Sequence, residues 1–381
     1  MSSAFDVIVL GLGGFGSAAC YHVARRGVRV LGLEQFTPAH DRGSSHGETR
    51  IIRQAYFEHP DYVPLLTRAY QLWSELELEA SRTLFTRAGL MISGPGDSEA
   101  VAGTRLAALQ HRLPLETLTR EEALRRFPLF AVPDGNEVVF EANAGYLAVE
   151  DCTRAHLDLA ERHGADLRFQ CPVTSWQSDG RTIRVRTERE EFSARQLILT
   201  AGAWASQCLN GLNLPLTVVR KFVGWFPLRA EAAACIRDCP TFFFEIGRQQ
   251  FYGFPPRDGA TLKAAEHTGG EPIHDPAHVE RRQLPGDAQS LSTFLRQCLP
   301  AVEPAPVRHS ICLYTRTPDS HFVIDRHPAF DNVVFGCGFS GHGFKFTPVI
   351  GEVLAELATA GATTAPISFL SVKRAALNIA T

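Results

Sequence analysis

Very little in this chain is out of balance, and the absences narrow its chemistry first. Across 381 residues, 38 Lys and Arg stand against 41 Asp and Glu, a formal charge of −3, and no basic block gathers anywhere. Such a surface offers no electrostatic footprint for nucleic acid or an anionic membrane, so the expected partner is a small molecule. Repeats and low-complexity linkers are missing, and 45% apolar with 21% charged residues is an ordinary globular composition that excludes disorder, collagen and coiled coil. The length suggests two or three domains' worth of core. Nine cysteines, odd in number and scattered from Cys20 to Cys337, do not form a secreted disulfide framework. Cys235 and Cys239 have no partner pair nearby, so no metal is expected. The start lacks the positive region of a signal peptide, and the end, Asn378-Ile-Ala-Thr381, lacks a peroxisomal address, leaving the cytoplasm as the expected location. Residues 7–24 carry no Asp, Glu, Lys or Arg, but four glycines interrupt them, which fits a buried strand and turn better than a membrane span.

That glycine cluster is the first positive signal. Asp6-Val-Ile-Val-Leu10 is a β-branched apolar run, Gly11-Leu-Gly13-Gly-Phe-Gly16 follows it, and residues 17–26 have a helical pattern. In a strand, glycine turn and helix, Gly11 permits the tight turn, Gly13 lets backbone N–H groups approach a pyrophosphate, and Gly16 lets helix and strand pack closely. Gly27 ends the helix, Val28-Arg-Val-Leu-Gly-Leu33 forms a second strand, and Glu34 stands at its end, where an acid binds ribose hydroxyls and disfavours a 2′-phosphate. On this evidence FAD and NAD both remain open.

Beyond the fingerprint, helices are predicted at 60–79, 98–110 and 149–163, with a capping box at Thr119-Arg-Glu-Glu122. Short alternating runs at 166–170, 173–176, 182–187 and 191–193 predict a meander, and a separate buried strand follows at 196–200 before another helix near Trp204. Residues 214–314 are strand-rich, and a late strand at 332–335 feeds a second glycine-rich segment. A Rossmann-type start whose sheet resumes in mid-chain and again near the end predicts a discontinuous cofactor domain with a second domain inserted.

Three separated motifs resemble the FAD-dependent amine oxidases of the monomeric sarcosine oxidase, N-methyltryptophan oxidase and pipecolate oxidase family. They are Arg42-Gly-Ser-Ser-His-Gly-Glu-Thr-Arg-Ile-Ile-Arg53; Phe251-Tyr-Gly-Phe-Pro255 with Lys263-Ala-Ala-Glu-His267; and Cys312-Leu-Tyr-Thr315 with Asp319-Ser-His-Phe-Val-Ile-Asp325 and Gly338-Phe-Ser-Gly-His-Gly-Phe-Lys345. The resemblance implies a mixed α/β fold: a discontinuous Rossmann-like FAD-binding domain (1–84, 145–213 and 320–381) with an inserted antiparallel-sheet substrate domain (85–144 and 214–319), as in D-amino-acid oxidase. It implies a monomer that oxidises a secondary-amine amino acid (sarcosine, another N-methyl amino acid, or pipecolate) to an imine, with dioxygen reduced to hydrogen peroxide.

The resemblance also assigns residues. Arg53 and Lys345 would bind the substrate carboxylate, which needs cationic partners once it leaves water. Lys345 lies between Phe344 and Phe346, where an unpaired ammonium is costly. Arg50 would lie over the flavin, Lys263 would support oxygen reduction, and His267, Tyr252 and Tyr314 would stand beside the amine. Ser44, Ser45, Val173, Gly341, His342 and Gly343, together with the N-terminal Gly11, Gly13, Gly16 and Glu34, would hold the cofactor. Cys312 would carry a thioether to the flavin, its thiol activated by His309 and Arg308 if they fold close to it. Cys337, where the family commonly has a small residue, is a rival attachment point. Ser45 replaces a histidine of some sarcosine oxidases and leans toward the pipecolate branch. Trp225, Phe243 and Tyr252 are candidate pocket walls. A primary D-amino-acid oxidase, a flavin dehydrogenase, a non-catalytic flavin-binding protein and a nicotinamide-dependent dehydrogenase are the alternatives.

Overall fold

The computed structural model describes residues 4–209 and 211–378. Ala4–Leu10 is the centre of an eight-stranded sheet, with Val30–Leu33 parallel on one side and Glu191–Leu199 parallel on the other. Val7, Ile8 and Val9 are fully buried, as a parallel strand covered on both faces requires. The helix Gly14–Arg25 packs on one face through small residues, and the last long helix, Thr347–Ala360, crosses it where Gly351 meets Ala18. A Cβ at Gly351 would come within 2.5 Å of that of Ala18.

Two sequence expectations change here. The runs at 191–193 and 196–200 are one nine-residue strand, Glu191–Leu199, whose first half pairs antiparallel with Ile183–Thr187 and whose second half pairs parallel with Phe330–Cys337. Exposed Arg195 sits where the partner changes, so its charge stays in solvent and does not end the strand. Asp166–Arg168 does not open the meander; it adds parallel to Val30–Leu33 at the far edge. The helices Gln289–Cys298 and Thr347–Ala360 were not anticipated.

A nine-stranded sheet built from residues 90–141 and 217–316 forms the second layer. Its longest strand, Thr217–Pro227, near one edge, pairs antiparallel with Thr261–Glu266 and with Arg308–Arg316. Period-two alternation divides the sheet's two faces. Phe242 and Phe244 pack with Phe294 of the Gln289–Cys298 helix, whereas Phe243, Tyr252, Trp225 and Cys312 belong to the cluster on the other side. Each such phenyl ring contributes about 2 kcal/mol by burial. Thr49–Ile52, Gly145–Ala148 and Phe85–Thr86 form a third, antiparallel sheet of three strands. Among the described residues no helix is long and apolar enough to cross a membrane, and no group of three or more His, Cys, Asp or Glu could hold a metal.

Of the glycines, Gly16, at the glycine turn, has the least room for a side chain: a Cβ there would lie 1.8 Å from Gly11 O. Gly16→Ala is therefore expected to cost about 3 kcal/mol or more, as overpacking against an immobile backbone does. A lowered urea midpoint at unchanged slope would show it; an unmoved midpoint would mean the turn can yield.

Candidate functional site

A cavity of about 440 Å³ runs from the glycine turn, between the two large sheets, to an aromatic-lined end. At its start the helix Gly14–Arg25 has Gly13 as N-cap and no side-chain cap, and Gly14 N–H donates to Ser45 Oγ at 3.2 Å. The first-turn amides and the positive end of the helix dipole therefore face the cavity. Glu34 Oε2 accepts from Leu12 N–H at 2.8 Å, and Oε1 accepts from Phe36 N–H at 3.0 Å and lies 3.5 Å from His40 Nε2. Burial alone would raise its pKa, but His40 and the two amides outweigh that and hold it below the usual range. Cys171 N–H bonds Glu34 O, which brings Val173 to this end of the wall.

Midway, Ser44 Oγ donates to Leu313 O, and Leu313 N–H bonds Gly43 O, so the 43–44 segment lies along the Arg308–Arg316 strand. Arg50 lines the cavity; its Nη1 donates to Thr49 O, and its Nη2 donates to Ser44 O at 2.7 Å and to Cys312 Sγ at 3.3 Å. Cys312 is buried behind that guanidinium, 4.0 Å from His46 Nδ1. Burial would raise the thiol, but the charges of His46 and Arg50 bring it down to about 6. The expected activators are corrected here. His309 projects from the opposite face of the strand, where it stacks on Phe222, and Arg308 pairs with Glu48 over the Trp225 ring. Cys337 packs in the core of the first sheet, where burial pushes its thiol up to about 12.

Lys263 is not on the cavity wall. Its Nζ lies behind the Thr49–Ile52 strand, donating to Gly47 O, Thr49 O and Thr49 Oγ1 at 2.5, 2.8 and 3.0 Å. It borders a separate small hollow with Trp225, which likewise is not a wall of the main cavity. Burial and then the Arg50 charge depress its pKa well below that of a free lysine.

The far end gathers Arg53, Lys345, Tyr252, Tyr314, His267 and Phe243. Arg53 lies between the rings of Tyr56 and Phe57, at 4.2 and 3.9 Å, and pairs with Glu58 Oε2 at 2.5 Å. Lys345 Nζ donates to His342 O at 2.6 Å, and burial followed by Arg53 lowers it to about 7. Tyr252 and Tyr314 share a 3.3 Å hydroxyl contact, and burial raises both phenols. Burial takes His267 down to about 3, and among the described residues its ring makes no hydrogen bond. His342 has both nitrogens engaged, by Tyr56 OH at 2.5 Å and Ser320 O at 2.9 Å. Gly341, at φ +86°, closes the glycine segment on the site; a Cβ there would lie 2.2 Å from the Tyr314 ring. Gly343 lines the cavity beside it.

Three groups lacked a sequence signal. Glu58 is a carboxylate five residues past Arg53, lowered to about 2 by the Arg53 charge against the cost of burial. His46 stood inside a quoted motif without a role. Thr315 Oγ1 is a buried hydroxyl on the cavity wall with no hydrogen-bond partner among the described residues. An uncapped helix end, an orphaned hydroxyl and glycines that bring backbone to the cavity are the donors an extended dinucleotide flavin requires, so the residues present fit FAD.

Comparison with known proteins agrees with that fit. A family model described as FAD dependent oxidoreductase matches residues 6–357. The monomeric sarcosine oxidase of Streptomyces avermitilis is 42% identical over 381 residues, 99% of each chain. N-methyl-L-tryptophan oxidase of Citrobacter koseri is 36% identical over 359 residues, 93% of this chain and 94% of the relative. Among solved structures, that of NikD, described as an unusual amino acid oxidase essential for nikkomycin biosynthesis, superposes with a TM-score of 0.87 at 27% identity, covering 97% of this chain and 98% of the other.

The Cys312 geometry makes a direct prediction. In flavin-free protein, the thiolate absorbance lost on Cys312→Ser is expected to titrate at about pH 6. His46→Asn should raise that midpoint by roughly one unit or more, because it removes a charge next to the sulfur. An unmoved midpoint would assign the activation elsewhere.

Proposed function

The chain belongs to the FAD-dependent oxidoreductase family, and from that premise we propose that it is an oxidase of secondary-amine amino acids, the class that includes sarcosine, larger N-methyl amino acids and pipecolate. The observation that carries this reading is the far end of the cavity, where two cations stand beside an uncharged, aromatic amine site. When bound, FAD accepts a hydride equivalent from the carbon next to nitrogen and passes the electrons to dioxygen, giving hydrogen peroxide.

The residues divide the remaining work. Arg53 keeps guanidinium donors beyond the one that pairs with Glu58 and, with Lys345, receives the carboxylate. With Lys345 protonated, the two cations against Glu58 leave one positive charge for one carboxylate. His267 is neutral at physiological pH and the tyrosines keep their protons, so the amine end offers no counter-ion and favours the neutral amine that can be oxidised. Arg50 spans the middle of the cavity over the cofactor. Lys263, held by the Thr49 and Gly47 carbonyls, takes up a proton as negative charge builds on oxygen and so supplies positive charge during its reduction. Cys312 is the covalent attachment point, supported by its lowered pKa. The two large sheets support division into an FAD-binding domain of 1–84, 145–213 and 320–381 and a substrate domain of 85–144 and 214–319. Nine free cysteines support a reducing compartment, and nothing in the reading needs more than a monomer.

Peroxide release with sarcosine, N-methylated larger amino acids or pipecolate, and its absence with the matching primary amines, tests the proposal; oxidation of primary D-amino acids alone would overturn it. Lys345 supplies a pH signature. Its depressed pKa of about 7 leaves it charged below that pH and neutral above. The Kd of methoxyacetate, a carboxylate without the amine, should therefore be flat below pH 7 and rise above it by up to about tenfold per unit. Lys345→Met should weaken binding and abolish the rise. Separately, Lys263→Met should slow reoxidation of the reduced flavin by oxygen far more than anaerobic reduction by substrate. Stopped-flow traces with both half-reactions equally slowed would remove Lys263 from the oxygen step.

A further inference from the structure

Arg281 lies outside every motif discussed above and lines neither cavity. Its half-buried guanidinium nevertheless donates to three backbone carbonyls on two distant segments: Nη1 to Asp41 O at 3.0 Å and Ile311 O at 2.8 Å, and Nη2 to Arg42 O at 2.6 Å. Among the described residues it forms no ion pair with a carboxylate. The loop that carries it is itself held down. Buried Arg220, on the Thr217–Pro227 strand, donates to Glu280 O and Arg282 O and pairs with Asp287 at 2.7 Å, while His309 contacts Arg281 O at 3.2 Å. A cation placed without an acid and directed at carbonyls serves geometry, since the fixed fork of arginine can bridge two chains at set spacing.

What it bridges is specific. Ile311 immediately precedes Cys312, and residues 41–42 lead into the segment that carries Ser44, Ser45 and His46. We propose that Arg281 is a positioning residue for flavin attachment: it clamps the 41–46 segment to the Arg308–Arg316 strand and so holds His46 and Arg50 against the Cys312 sulfur. The inference rests on the reading of Cys312 as the attachment point. In that step the sulfur forms a bond to the ring methyl carbon, thiol and methyl each give up a proton, and the two electrons pass to dioxygen, yielding hydrogen peroxide.

The test uses flavin-free protein, wild type against Arg281→Met and Arg281→Lys. Two quantities are read: the midpoint of the Cys312 thiolate absorbance, and the rate at which added FAD becomes resistant to release by acid. Arg281→Met should move the midpoint up from about 6 and, assayed at about pH 5 where the thiolate fraction follows the midpoint, slow attachment by up to about tenfold per unit of that rise, with Arg281→Lys recovering part of both. Unmoved midpoints overturn the proposal, even if attachment slows, because a contact that only stabilises the fold would do that. Should Arg281→Met fail to fold, Arg281→Lys decides by the same midpoint, since a lysine cannot reach all three carbonyls at once. If wild type releases its flavin in acid, the attachment reading fails, and the midpoint still decides whether Arg281 positions the thiol.

Discussion

Positive charge concentrated around one cavity is the constraint on which the rest of this site depends. Arg53 and Lys345 are buried at the cavity's far end, Arg50 faces it midway, and Lys263 is buried behind the Thr49–Ile52 strand beside it. Like charges this close repel strongly where water is scarce. The fold answers with carbonyl oxygens: Gly47 and Thr49 for Lys263, His342 for Lys345, and Ser44 and Thr49 for Arg50. Among the described residues only one carboxylate, Glu58, pairs directly with the group. Burial first, and then the neighbouring cations, depress the pKa of Lys263 and Lys345, while His46 and Arg50 bring the Cys312 thiol down against burial. The anionic cofactor and carboxylate substrate proposed above would complete the balance.

The division of labour between the sheets follows from side-chain alternation. On Arg308–Arg316, Cys312 and Tyr314 point toward the cavity side while His309 and Ile311 point to the opposite core. A one-residue slip would exchange the two sets, so pairing along the whole length of Thr217–Pro227 protects the chemistry as well as the core. The glycine segment after Phe330–Cys337 then brings His342 and Lys345 across from the first sheet, with Gly341 closing on Tyr314.

Much of this was legible without coordinates where the signal was local. The strand, glycine turn and helix of residues 6–26 and the acid at Glu34 follow from spacing alone, and the capping box at Thr119 and Glu122 forms as read. Longer-range readings were less secure. Glu191–Leu199 reads in the sequence as two runs, 191–193 and 196–200, whereas in the fold it is one strand that changes partner near Arg195. His309 and Arg308 were proposed to activate Cys312 because they are near in sequence, yet strand geometry sends one to the far face and gives the other to Glu48.

By itself, then, the sequence determined the dinucleotide-binding start, the family resemblance and the inventory of cations, because each is carried by short runs whose spacing has one structural meaning. Only the tertiary structure decided which groups neutralise or activate one another: Glu58 with Arg53, His46 and Arg50 with Cys312, Lys263 behind a strand and not on the cavity wall, and Arg281 across two segments. The physical reason is that a side chain's ionisation and reach depend on burial and on neighbours far away in the chain, and neither is written in local spacing.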